Sequence, residues 1–482
     1  MSETTSASLS ISLHRNLKQI EETINKSSDL KIRTFSIRDE VVRDAAIFYI
    51  DGITDTKNIQ ENILKPLQGI YRIKSLETLM SERLSIIDVS LVSQFNEIFL
   101  ALTKGKALVL IDGFDQGILA ESSNWQMRAL AEPDTQRTSR GPLVGFNEQL
   151  KVNVNLLRNM IQTPDFTVEN ISVGTKSKTD VAIVYIEEFV DKKVLEETRR
   201  KIKEIDVTYL LEARVIEDAL EEKNAIFPLV FTCERPDVSV SALYEGRTVI
   251  LVNGIPYVLI VPTLFIHYFQ QPDEYNVKGS RLIIRFIRFF TWFLAIGLLG
   301  LYVTLVHFHQ DWFPPKFSKE LLTQSDTFLP IILELLFLQF IFELLSETSL
   351  RIPKTTVLLV SLIGATIIGQ TSVEAKIVHS LSLIVVGINF LASMALTAGG
   401  LWGVMRVLRV AFLFIGYFFG LTGMAIGLIL TIIYMASLKS VGVPYLAPFI
   451  PFQFKEFKDV LIRGDLRNII NSKHTYPHKD KE

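Results

Sequence analysis

The chain has 482 residues, of which 50 are Lys or Arg and 52 are Asp or Glu, and 48 % are hydrophobic. That length allows two to four domains. The near-neutral total hides a split: residues 1–280 hold 32 basic against 40 acidic side chains, and residues 281–482 hold 18 against 12. No basic patch interleaved with aromatics occurs, which excludes a nucleic-acid-binding class. One cysteine, Cys233, excludes an internal disulfide and fits a reducing compartment.

The opening residues MSETTSASLSISLHRN contain no apolar run, so no cleaved signal peptide is expected and the large N-terminal region is expected to be cytoplasmic. Residues 1–40 read as a weakly ordered lead with one amphipathic helix near Leu13–Ile24. Two similar units follow. Residues 44–67 resemble residues 180–202 at an offset of 136, matching Tyr49 with Tyr185, Asp55 with Asp191 and Glu61 with Glu197. Each is a β-branched apolar strand, a polar turn and a charged helix, the start of an α/β unit. A second pair, residues 105–122 and 246–263, places Asp112-Gly113 and Asn253-Gly254 between apolar runs. Those dipeptides are strong hairpin signals. The pattern predicts two related α/β subdomains, 41–122 and 175–270, joined by a linker, 123–174, whose Glu148–Ile161 stretch reads as an amphipathic helix. In that linker Arg137, Arg140 and Arg158 read either as anion or subunit contacts or as solvated local ion pairs.

From residue 281 to 438 the chain reads as an α-helical multi-pass membrane domain of four or five helices, followed by a basic, Pro-rich tail, 439–482. Lys278, Arg281, Arg285 and Arg288 precede the first span, about Phe289–Val306, and place that flank on the cytoplasmic side. His307 and His309 read as interfacial residues rather than metal ligands. Phe328–Glu347 is apolar but holds Glu334, Gln339, Glu343, Ser346 and Glu347, so it either faces a cavity or interface or lies in the membrane surface. Between Val357 and Val373 there is no ionisable side chain, yet Ser361, Ala365, Gly369 and Ser372 share one helix face and Glu374 follows at its end. A ridge of small residues signals either close packing or a polar-lined path. Further on, Gly416, Gly420, Gly423 and Gly427 repeat at helical spacing in the uncharged run Val410–Leu438, a pattern for close helix packing. Five spans leave the basic tail outside; treating Phe328–Glu347 as interfacial leaves four spans and both ends cytoplasmic, the arrangement favoured here.

No phosphate loop, dinucleotide fingerprint, zinc-protease helix, Cys/His cluster or nucleophile elbow is present. No catalytic, cofactor or metal residue is assigned, and an enzyme is not expected.

Several stretches in order carry a family resemblance: Glu132-Pro133 with Arg140-Gly141-Pro142 and Gly145-Phe146, Asn155 to Arg158, and Phe342-Glu343 with Arg351-Ile352-Pro353. To these add Ile368-Gly369-Gln370 with Val373-Glu374-Ala375, and Pro444 to Phe449 followed by Asp459 to Arg463. Together they resemble the A subunit of the GerA-type nutrient germinant receptors of spore-forming bacteria, over about residues 41–468. Gln339 stands where a Glu is expected, and Thr371-Ser372 where a pair of alanines is usual.

The resemblance implies a spore inner-membrane protein whose partners are a permease-like B subunit that binds the nutrient and a lipoprotein C subunit. It further implies a homo-oligomer, expected to be a pentamer, that forms a ligand-gated cation-release channel. On that reading Ser361, Ala365, Ile368, Gly369, Ser372 and Glu374 line the pore, and Glu132, Arg140 and Glu343 make subunit contacts. The alternative is a non-conducting scaffold subunit in which the same small residues only pack.

Overall fold

The computed structural model describes residues 8–38, 42–69, 73–123, 132–133, 135–138, 141–270, 278–314, 327–349, 369–396 and 400–453. The first sheet comprises β1 (Leu30–Ile37), β2 (Arg43–Ile50), β3 (Val89–Val92), β4 (Ala107–Ile111) and β5 (Gly117–Ala120), in the order β1-β2-β4-β5-β3. Five helices accompany it: α1 (Leu13–Thr23), α2 (Thr56–Ile59), α3 (Lys65–Gln68), α4 (Leu76–Arg83) and α5 (Phe95–Thr103), with a π turn, Gln60–Leu64, joining α2 to α3. Alternation along β2 explains the layering, because successive side chains point to opposite faces. Ala46, Phe48 and Ile50 pack under α1 and α5, whereas Ala45 and Ile47 pack under α2, α3 and α4.

The second sheet repeats this plan. Its strands β6 (Phe166–Val173), β7 (Thr179–Ile186), β8 (Phe231–Cys233), β9 (Thr248–Val252) and β10 (Val258–Val261) are ordered β6-β7-β9-β10-β8. Its helices are α6 (Leu150–Met160), α7 (Lys192–Lys203), α8 (Arg214–Leu220) and α9 (Pro236–Tyr244). Equivalent residues make equivalent bonds. Asp55 Oδ1 accepts the Lys57 and Asn58 amides, and Asp191 Oδ1 those of Lys193 and Val194. The hairpin glycines Gly113 and Gly254 both hold positive φ, 90° and 91°, which a side chain disfavours.

The strands pair antiparallel throughout both sheets, in keeping with the hairpins at Asp112-Gly113 and Asn253-Gly254. Two domain bounds change. The residues read as a lead, up to 40, supply α1 and β1 of the first subdomain. Likewise the linker supplies α6 and β6 of the second. Asn16 in α1 and Asn153 in α6 show the equivalence. Asn16 bonds the Ser10 amide and carbonyl, and Asn153 those of Asn147.

Beyond residue 278 the described chain forms the helices α10 (Lys278–Phe308), α11 (Ile331–Ser349), α12 (Gly369–Glu374), α13 (Ser380–Met394) and α14 (Leu401–Ser437), followed by a two-stranded hairpin, Lys439–Ser440 with Val443–Pro444. Among the described residues two helical segments, Ile283–Phe308 and Leu401–Ser437, are long and apolar enough to cross a membrane, and α13 is a shorter apolar helix.

Candidate functional site: the helical bundle and its seat on the second subdomain

The seat begins where β10 leaves the sheet. The residues after it, Pro262 to Phe269, are mostly apolar and all but His267 are buried, so they remain in contact with protein instead of turning into solvent. Phe265 meets Trp292 of α10 with ring centres 5.2 Å apart, and Phe269 meets Phe289 at 5.4 Å. The chain returning from α14 closes over this seat. Tyr445 is fully buried, its carbonyl accepts the Phe265 amide at 2.9 Å, and Ser440 Oγ accepts the Thr263 amide at 2.8 Å while donating to the Leu229 carbonyl. Hence the second sheet, the middle of α10 (Phe289 to Ile296) and residues 438–447 share one apolar core.

α14 is not a straight rod. Gly420 holds φ 63° and ψ −154°, a conformation essentially restricted to glycine. The helix folds back there. A Cβ on Gly427 would lie 3.5 Å from the Phe412 ring, yet fifteen residues of straight helix span about 22 Å. Both ends of α14 therefore reach the second subdomain. Gly400 abuts Pro228, and Tyr434 Oη accepts the Ile226 amide at 3.0 Å. The fold at Gly420 lies against Phe308, at the other end of α10. Where α10 crosses α14, a Cβ on Gly416 would lie 2.4 Å from the Gly300 carbonyl oxygen, so only glycine permits this approach.

Polar side chains buried in the bundle bind its helices together, as buried polar groups must find partners. Arg409, 3 % exposed, donates to the Ala295 carbonyl at 3.1 Å and to Ser393 Oγ. Asn389 Nδ2 donates to the Leu294 carbonyl at 2.8 Å. Glu334 is fully buried and accepts the His379 amide at the start of α13. A carboxylate there complements the helix dipole.

This chain matches the family model for the Bacillus/Clostridium GerA spore germination protein over residues 18–475. The chain belongs to the GerA family. It is 32 % identical to spore germination protein KA of Bacillus subtilis (strain 168), over 94 % of this chain and 85 % of that protein. It is 30 % identical to spore germination protein GerLA of Bacillus cereus, over 93 % and 92 %. A crystal structure of the N-terminal domain of the A subunit of the Bacillus megaterium spore germinant receptor GerK3 aligns with TM-score 0.44 and 32 % identity, covering 54 % of this chain and 98 % of that one.

In this GerA chain, of the residues read as pore-lining, Ser361, Ala365 and Ile368 lie outside the described residues. Gly369 and Ser372 are buried, Gly369 against Leu383 of α13, whereas Glu374 is exposed. Of the glycines read as one packing ridge, Gly416 touches α10 and Gly420 forms the fold. Gly423 and Gly427 face Ile415 of the other leg or its neighbours. Glu132 pairs with Arg137 at 3.0 Å on the surface, Arg140 lies outside the described residues, and Glu343 pairs with Arg406. Beyond Glu132, Thr135 and Gln136 bond Glu234 and Thr232, covering the exposed edge of β8.

Two further polar roles have no counterpart among the residues singled out from the sequence: Arg409, directly before the uncharged run Val410–Leu438, is buried inside the bundle, and Asn389 sits buried within the apolar α13. The signal available was that a lone polar residue in such a run needs a partner.

Proposed function

We propose that this chain is the A-type membrane subunit of a nutrient germinant receptor and that copies of it assemble into a cation-release channel opened by nutrient. On this reading it works in the spore inner membrane with a permease-like B subunit and a lipoprotein C subunit, as a pentamer in contact with lipid. Family membership across residues 18–475 supports the receptor role. The observation that carries the gating step is the core shared by the second subdomain, α10 and the return from α14. Because packed cores switch between discrete arrangements rather than deform smoothly, a shift of the subdomain moves these helices with it.

The fold at Gly420 supports a multi-pass reading with the N-terminal region and the tail on one side, the cytoplasmic side by the positive flank Lys278–Arg288. Cysteines introduced at Lys104, His309 and Lys439 test it. A membrane-impermeant maleimide is expected to label Lys104 and Lys439 from one side and His309 from the other.

A second reading has its own observation. Gly369 and Ser372 are buried, Gly369 against Leu383 of α13, as a packing face in a non-conducting scaffold would be. Conductance of the purified chain in planar bilayers, with and without Ile368→Ala, separates the two. The channel reading expects a leak from the variant and germination of its spores without nutrient. Silent bilayers together with normally dormant spores favour the scaffold.

A further inference from the structure

The two repeats dock on each other through one short loop. Before β1, the Asp29 carboxylate, 8 % exposed, accepts Nε and Nη2 of Arg158 at 3.1 and 2.6 Å. Ser27 Oγ donates to Asp29 and accepts the Val168 amide. The Arg158 guanidinium also lies 4.3 Å from the centre of the Phe166 ring. Two turns earlier on α6, Lys151 Nζ reaches Asp51 at 3.1 Å. Between them Asn155 rests on Gly52, so closely that a Cβ there would lie 2.3 Å from its side chain. The first repeat thus reads one face of a helix through a lysine and an arginine spaced i and i+7.

The second repeat carries the same acceptors. Thr163 Oγ1 donates to Asp165 at 3.2 Å, as Ser27 does to Asp29. The Glu187 amide donates to the Asp165 carbonyl at 2.9 Å, as the Asp51 amide does to that of Asp29 at 2.8 Å. Asp165, Glu187 and Glu188 therefore stand where Asp29, Asp51 and Gly52 stand. The surface differs in being more exposed. Thr163, Pro164 and Asp165 are half-buried and Glu188 is exposed. Glu187 pairs only with Lys192 of its own turn, at 2.9 Å, and among the described residues no cation reaches Asp165.

We propose that the surface formed by Thr163, Asp165, Glu187 and Glu188 docks a helix of a partner chain that carries basic residues at i and i+7. The occupied counterpart defines the chemistry: an arginine for the aspartate, which can take two parallel hydrogen bonds, and a lysine for the outer carboxylate. Glu188 in place of Gly52 crowds an asparagine at the middle position, which weakens but does not abolish the fit, and favours a small or a third basic residue. A second copy's α1 does not fit. The register set by Asn16 and Asn153 puts His14 and Glu21 where α6 has Lys151 and Arg158, and Glu21 would face Asp165 with like charge. The same mismatch stops the repeats from adding head to tail.

The test uses the full chain in lipid nanodiscs and a fluorescent, hydrocarbon-stapled peptide of its own residues 147–162 as the probe. Anisotropy is expected to show saturable binding that weakens with added salt. Reversing the surface with Asp165→Lys and Glu187→Lys is expected to weaken it about tenfold or more, since like charges then face each other. A peptide bearing Lys151→Glu and Arg158→Glu is expected to restore binding to the reversed chain. Glu188→Gly, which recreates the Gly52 contact, is expected to tighten binding of the original peptide. An unchanged melting temperature checks that the variants fold. The proposal is overturned by absence of saturable binding, by equal binding to the reversed chain, or by self-association of the chain that the same reversal abolishes.

Discussion

The first repeat keeps its sheet between two cores of its own, whereas the second has merged its core with the helical bundle. The strands, their order and the helix caps are shared, so the difference does not arise in the scaffold. It arises at the exits. After β5 the chain continues with the polar residues Glu121-Ser122-Ser123, while after β10 it continues as Pro262-Thr263-Leu264-Phe265-Ile266. Apolar residues at that exit keep the chain on the protein and seat α10 against Trp292. A second divergence lies on the first helix of each repeat, where Glu21 in α1 corresponds to Arg158 in α6. One exchange of charge decides which helix is gripped by the neighbouring repeat.

The largest effect is expected at that grip. Arg158→Met leaves Asp29 buried without its cation, and breaking such a pair costs roughly 3–5 kcal/mol. Glu21→Met, at the equivalent site on the surface of α1, is expected to change stability by less than about 0.5 kcal/mol. Urea unfolding of the two variants checks the contrast, with amide exchange in β2 and β7 showing whether the repeats come apart. Similar losses from both would mean that the repeats are held together elsewhere. Adding Asp29→Asn to Arg158→Met is expected to recover part of the loss, because the stranded charge is then gone.

Next in size is the contrast between glycines. Gly420→Ala forces an alanine into a conformation reserved for glycine, at a cost of about 1–3 kcal/mol. Gly254→Ala meets open space and pays only for its positive φ, about 1 kcal/mol. Thermal melts in detergent give the comparison. A Gly420→Ala protein as stable as its parent would argue that α14 does not need its fold.

Much of this plan was legible. Asp112-Gly113 and Asn253-Gly254 marked both hairpins, and the pairing of Asp55 with Asp191 exposed the duplication. β1 was missed because an edge strand such as LKIRTFSI mixes charged and apolar residues and shows only a weak alternation. The inward placement of Arg158 and Arg409 was not legible, since a charge in a polar linker or beside an apolar run looks solvated until its partner is known. The fold at Gly420 was hidden for another reason. Glycines at helical spacing mark close packing, and nothing local separates a packing glycine from one that reverses the chain. Ser361, Ala365 and Ile368 lie outside the described residues, so that part of the reading rests on sequence.

The smallest contrast concerns the caps. Asp55 and Asp191 each accept two amides of a first helical turn, so removing either with Ala is expected to cost about 1 kcal/mol. Asp191 is the more buried, at 9 %, while Asp55 is half-buried. Burial strengthens a hydrogen bond to a charge but also raises the cost of the charge itself, and the two effects oppose each other. Asparagine keeps the acceptor and removes the charge. Asp191→Asn is therefore expected to lose less than Asp191→Ala, by a wider margin than at Asp55, because less water is available to replace the lost oxygen. Amide exchange of the first turns of α7 and α2 measures each loss separately. Equal margins at both sites would show that the second repeat treats its cap as a surface group, despite its deeper setting.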